Sequence, residues 1–387
     1  MTSRPTSAAT TYKLGLDLPL SGIDGASAIP ARNAVLLAIE EADRRGFPGG
    51  VRVELSDLDD AVQGKHDPAQ GALNLKSFAG DPDVLAVIGP MNSNVAKAQI
   101  PISNAAGLAQ ITMAATSIEL TRGPAALALR SAHPERPAFF RVCASDDRQG
   151  EAVARFARSR GLRRAFIIDD NESYGRGLAD VFATEFPRAG GVILGREHLT
   201  SFALDYKALL TKIRASRPDA VFFGGIVSTG GGILRRQMAD VGLGGVAYLG
   251  GDGLASPEYV PLAGPAAENT YFTLVSPDVD HLPEARNFVA AYRARFGAEP
   301  GNYSAGAYAA ARVALEAMRA AIVARLAEGS DLRATVLAAV ARTKGLVTPI
   351  GPVAFDGGGD LREPIVSLYR VHDGKARFVA EIREPRR

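Results

Sequence analysis

Apolar and polar positions follow two rhythms along this chain. Short β-branched or aromatic runs stop at Gly, Pro or small hydroxyl residues. Longer stretches with an apolar residue every three or four positions follow them. Residues 12–20, 51–58, 84–89, 108–113 and 139–144 read as strands, and residues 31–45, 69–79 and 95–106 as helices between them. A Gly-rich loop spans 21–28, a short helical turn runs toward Arg122-Gly123, and residues 124–138 read as a proline-bearing loop. Strand and helix in alternation predict an α/β fold with a doubly wound parallel sheet. A second series repeats the rhythm, with helices at 151–160, 177–189, 206–216 and 233–241, and strands at 165–170, 192–198, 220–224 and 247–250. The recurrence is one of pattern and predicts two similar lobes facing each other. Residues 269–276 are expected to return the chain to the first lobe. Helices at 283–296, 304–326 and 331–343 follow, then a strand and turn at 350–361 and two strands at 365–372 and 376–382.

The stretch 83–123 organises the rest. Each of its two strands runs into a small hydroxyl-bearing loop, with Ser93 in the first and Thr116 in the second. In an open parallel sheet such loops meet at the carboxyl edge of the strands, where ligands collect. Ser93 and Thr116 then face one crevice beside the free N–H groups of helix starts, which suits a small anion such as a carboxylate. The same residues also read as helix caps.

Composition narrows the function. At 387 residues the chain is long enough for two or three domains, or for two lobes of one fold. A net charge of +2 gives no broad attraction to nucleic acid or an anionic membrane. The single cysteine, Cys143, excludes an internal disulfide. No apolar run reaches the ~18 residues of a membrane span. Residues 1–11 read as a disordered leader without the hydrophobic centre of a signal peptide, so either the protein stays in the cell or an export segment has been removed. The histidines are scattered, without metal spacing, and each reads as a surface or loop residue. The acids at 356 and 360 flank three glycines, a fragment of a calcium loop that reads better as a hairpin turn. Nucleophile-elbow, phosphate-loop and dinucleotide motifs are missing, so neither an enzyme nor a cofactor is expected.

Several short motifs fall in a characteristic order: PLSG at 19–22, VIGP at 87–90, the Ser93 loop, AATSIELT at 114–121, SYGRGLA at 173–179 and FDGGGDL at 355–361. Together they resemble the periplasmic substrate-binding proteins of ABC importers for branched-chain amino acids, over residues 12–381. The resemblance implies a type I periplasmic binding fold with crossings near Arg141, Phe272 and Pro349. One lobe would hold residues 12–141 plus 273–348, the other 142–272 plus 349–383. It also implies an amino acid between lobes that close on it. Ser93 would hold the carboxylate through its hydroxyl and N–H. Thr116 would serve carboxylate and ammonium, and Ala114 would offer its carbonyl to the ammonium. Tyr174 would close on the ligand and Asp252 would receive the ammonium, while Ser21 and Ile226 complete the ligand-binding set.

The chain departs from that family at two loops. Residues 21–28 lack an aromatic, and Ile226-Val227-Ser228-Thr229 replaces an aromatic-rich segment. Both changes argue against leucine-like selectivity. Asp24 is expected to stay exposed in its loop, with contact to a polar or cationic side chain as the alternative. The implied partners are a small-molecule ligand and an ABC transporter permease, with no nucleic acid; the implied protein is a monomer outside the cytoplasm. A ligand-sensing domain of a regulatory system with the same fold is the alternative.

Overall fold

Buried strands flanked by covering helices need no polar face, and the apolar runs condense into two separate sheets. The computed structural model describes residues 10–199 and 205–383. In the first sheet, Arg52–Asp59, Thr11–Leu18, Val84–Ile88, Ala109–Thr112 and Phe139–Arg141 lie side by side in that order, all parallel. Its main core joins Leu14, Leu16, Ile88 and Ile111 to the long helices Gly25–Arg45 and Ser304–Glu328. A smaller core of Leu75, Phe78, Val84, Val87 and Leu108 lies under Pro68–Gly80 and Ser93–Ala106. Asp67 starts the former helix by accepting the N–H of Gln70 at 2.7 Å.

The second sheet runs Val192–His198, Arg164–Asp169, Ala220–Gly224, Ala247–Gly250 and Thr270–Leu274 in parallel. Ile365–His372 and Lys375–Arg383 extend it in antiparallel fashion. The α/β, doubly wound, two-lobed architecture is therefore present.

Three expectations need correction. Thr270–Leu274 does not return the chain to the first lobe; it pairs with Ala247–Gly250 as a further strand of the second sheet. A strand at Lys344–Thr348 pairs with Gly351–Ala354, and Ile350, Val353 and Phe355 of this hairpin are buried in the first lobe's core. The chain thus crosses for the last time after that hairpin, not near Pro349. The helix Asp146–Ser159 begins well before residue 151, with Asp146 and Asp147 in a first turn that favours acidic side chains. Smaller differences are the start of Gly25–Arg45 inside the Gly-rich loop and a helix, Gly123–Leu129, in the proline-bearing loop. The leader lies outside the described residues up to residue 9, and Thr11 already belongs to a strand.

The crossings are tied together. Arg141 N donates to Gly359 O at 2.9 Å, Ala144 N to Val275 O at 2.9 Å, and Ser367 Oγ to Ser276 O at 2.8 Å. Asp356 is committed to its turn, accepting the N–H groups of Gly358 and Asp360 at 2.8 and 2.9 Å. Among the described residues, no helix is long and apolar enough to cross a membrane.

Candidate functional site: the interlobe cleft

The strand ends of the first sheet deliver two loops to one edge, and hydroxyls bind them to each other. Thr112 Oγ1 donates to Pro90 O at 2.6 Å and accepts the N–H groups of Ala114 and Ala115 at 3.1 and 3.0 Å. Ser93 Oγ accepts the N–H of Ser117 at 3.2 Å. Ser93 is the first residue of its helix; Asn92 stands at the cap position and its side chain does not cap. The residue at the cap position leaves the helix start uncapped, although Asn94 Oδ1 accepts the N–H of Val95 at 2.9 Å, and the capping alternative fails for Ser93. It fails for Thr116 too, because Ser117 occupies the cap position of the short helix Ile118–Leu120.

Thr116 is fully buried, and its Oγ1 has no hydrogen-bond partner. It neighbours the Asp146 carboxyl, whose Oδ2 is equally unpartnered. Burial pushes the Asp146 carboxyl up to about 7. Beneath this loop lies Arg141, also fully buried. Its guanidinium donates to the carbonyls of Ala115 and Ser117 at 3.3 and 3.1 Å, to Thr121 Oγ1, and to Asp360 Oδ1 at 2.6 Å.

The second lobe presents Asp252 at the end of Ala247–Gly250. Tyr174 OH donates to Asp252 Oδ1 at 2.9 Å, and Gln149 Nε2 to the same oxygen at 3.0 Å. Tyr303, from the first lobe, donates to Asp252 Oδ2 at 3.1 Å. Burial raises the Asp252 carboxyl even against these three donors. Glycines on either side permit the approach: a Cβ at Gly251 would stand 2.4 Å from Tyr174 OH, and one at Gly253 2.4 Å from Gly225 O.

Between the lobes lies a cavity of about 60 Å³. Ser93, Ala114, Tyr174, Ile226 and Asp252 line it; Thr116 is buried behind its wall. Ser21 is not brought to it: the residue is exposed, and Pro19, Asp24 and Ser27 reach the cavity instead. The reason is the early start of Gly25–Arg45, which turns the loop after Ser21.

Sequence reasoning missed several residues here. Tyr303 and Gln149 had no local signal. Asp170 and Glu172 also line the cavity; the strand-end position of Asp170 was the available clue. His66, expected at the surface, is buried, with its ring between Asp24 Oδ2 at 3.0 Å and Glu172 Oε2 at 2.9 Å. Burial alone would depress this imidazole, but the two carboxylates prevail and hold it at about 10. Asn94 Nδ2 also donates to Glu172 Oε2, at 3.0 Å. His66, Asn94 and Tyr303 thus bond across the gap, and the lobes are closed on each other.

Two doubly wound lobes shut over a polar cavity, with donors on one wall and a buried carboxyl on the other, define a bilobal ligand-binding protein. The chain belongs to the periplasmic binding protein family, whose model matches residues 11–375. It is 32% identical over 368 residues to the Leu/Ile/Val-binding protein BraC3 of Rhizobium johnstonii, covering 94% of this chain and 92% of that one. The leucine binding protein LivK of Thermotoga maritima superposes with a TM-score of 0.83 at 27% identity, over 96% of this chain and 98% of that one. LivJ of Streptococcus pneumoniae, solved with isoleucine, shares the fold with a TM-score of 0.82 at 23% identity, over 97% of this chain and all (100%) of its own.

Proposed function

We propose that the protein is the extracytoplasmic solute-binding component of an ABC importer, and that it holds an α-amino acid or a similar small carboxylate between its lobes. The observation carrying this reading is the polarity of the closed cavity. The uncapped helix start at Ser93 and the loop at Ala114 offer donors to a carboxylate. Asp252, framed by Tyr174 and Tyr303, offers an acceptor to an ammonium. A zwitterion spans the two walls with each end desolvated against its complement. Thr116 and Asp146 stand behind this contact, and Ile226 flanks the guest's side chain. Likeness to proteins named for leucine, isoleucine and valine supports an amino-acid head group.

Closure is the functional motion. The three tied crossings act as the hinge, and the closed, filled form is what a permease would recognise. The protein acts as a monomer that binds without chemistry. Titration calorimetry with a panel of amino acids, paired with small-angle scattering, tests the reading. One-to-one binding with compaction supports it; failure of every amino acid and small carboxylate to bind or to raise the melting temperature rejects it.

A further inference from the structure

The cavity holds more negative charge than an α-ammonium needs. Asp24, Asp170, Glu172 and Asp252 all line it, and no Lys or Arg does among the described residues. The imidazolium of His66 bonds to two of these acids, Asp24 and Glu172.

The four acids fall into two groups. Asp252 belongs to the network of Tyr174, Tyr303 and Gln149, where the α-ammonium is placed. The other three are joined to one another. Glu172 N donates to Asp170 Oδ1 at 3.0 Å, and His66 bridges Glu172 to Asp24. Asp170 has one further donor, Thr229 Oγ1, at 2.9 Å from Oδ2. Burial, and then the charge of Glu172, push its carboxyl up to about 7. A part-buried cluster with this excess of carboxylates is relieved when a cation joins it.

A second observation points the same way. Asn92 lines the cavity, and its Oδ1 is buried without a hydrogen-bond donor. Met91, Ile226 and Val227 add apolar wall to the same cavity, suited to the aliphatic stem of a side chain whose charged head reaches the acids. A wholly apolar guest would leave Asp170, Glu172 and the Asn92 oxygen facing hydrocarbon.

We propose that the guest is a cationic amino acid, with a side chain ending in an ammonium or guanidinium that Asp170, Glu172 and Asp24 receive. The proposal rests on the reading of the cleft as an amino-acid site and names its substrate class.

Calorimetry on the full chain at neutral pH tests it, with ornithine, lysine and arginine against leucine, valine and glutamine, and with cadaverine as a diamine lacking the carboxylate. At least one cationic amino acid should bind about tenfold or more tighter than leucine and glutamine. Asp170→Asn should weaken the cationic ligand by about tenfold more than it weakens leucine. Glu172→Gln, which also breaks the bridge from His66, should weaken every ligand and the cationic one most. Two substitutions are used because either alone can disturb folding, which circular dichroism checks. Tightest binding of leucine or valine overturns the cationic inference and leaves the amino-acid reading intact. Glutamine binding as tightly as lysine overturns it too, because charge is then not required. Cadaverine matching lysine overturns the amino-acid head group instead. Binding of no compound overturns this inference, and the wider panel of amino acids and small carboxylates then decides the reading of the cleft.

Discussion

The Nε2 atom of His66 lies 2.9 Å from Oε2 of Glu172, and this contact joins one lobe to the other beside the cavity. Its partner on its own lobe is Asp24, and the carboxyl of Asp60, which burial raises well above the usual carboxylate range, also lies near the ring. The bridge exists only when the lobes are shut, so its strength is a part of the closing free energy.

That bridge makes closure sensitive to alkali. The imidazole is held at about 10 against an ordinary value of 6.5. Asp24 stays beside the ring when the lobes part and Glu172 does not, so the closed form holds the proton more strongly than the open form. The bridge's contribution to closure therefore disappears as pH rises through about 10. Ligand affinity, followed by calorimetry, should therefore fall as pH is raised from neutrality past that point. His66→Gln should be weaker at neutral pH and flatter in alkali. A variant with the wild-type slope would show that the ligand's own ammonium, or tyrosines or lysines elsewhere, cause the loss.

Tyr303→Phe should loosen closure more than folding. The hydroxyl reaches from the first lobe to Asp252 Oδ2 at 3.1 Å and to its carbonyl at 3.0 Å. Hydrogen bonds to a charged group contribute about 1.5–3 kcal/mol, so affinity should drop by roughly ten- to a hundredfold. Scattering of the ligand-saturated variant should show a larger open fraction, with an almost unchanged melting temperature without ligand. Tyr174→Phe removes a donor from within the same lobe, so it should weaken binding without that shift toward the open form.

Asp146→Asn should stabilise the empty protein at mildly alkaline pH and not in acid. Its carboxyl is raised to about 7, so the folded state binds the proton more strongly than the unfolded chain does. Stability from this group is present below the usual carboxylate range and is lost as pH rises through about 7. An amide keeps the acceptor for Gln149 Nε2 and gives the unpartnered Thr116 Oγ1 a donor. The gain should be about 1–3 kcal/mol at pH ~8 and near zero at pH ~4 in urea unfolding.

Arg141→Met should be among the most damaging single changes. The residue is fully buried, and its removal leaves Asp360 facing only Arg122, while the carbonyls of Ala115 and Ser117 lose their donor. Breaking one side of a buried pair costs about 3–5 kcal/mol. The loop carrying Ala114 and Thr116 loses its support, so affinity should fall together with stability. Asp360→Asn keeps an acceptor for the guanidinium and should cost less in both measurements. Equal losses for the two variants would mean that the ion pair, not the loop support, dominates.

Much of this protein follows from local pattern. Strands such as Val84–Ile88 and Ala220–Gly224 are buried throughout, so they appear in the chain as unbroken apolar runs whatever surrounds them. The loops after them hold Ser93, Ala114 and Ile226, because a parallel sheet sends every strand end to the same edge. Motif order supplied Tyr174 and Asp252. Tertiary structure alone decided the rest. His66 and Glu172, or Asp252 and Tyr303, meet across a gap between lobes from distant parts of the chain, and no periodicity records such a meeting. The last crossing was misplaced for the same reason: the hairpin ending at Ala354 fits either lobe by pattern, and only the packing of Val353 and Phe355 assigns it to the first. Hydrophobic spacing is fixed by near neighbours along the chain, whereas closure is fixed by how two finished surfaces fit.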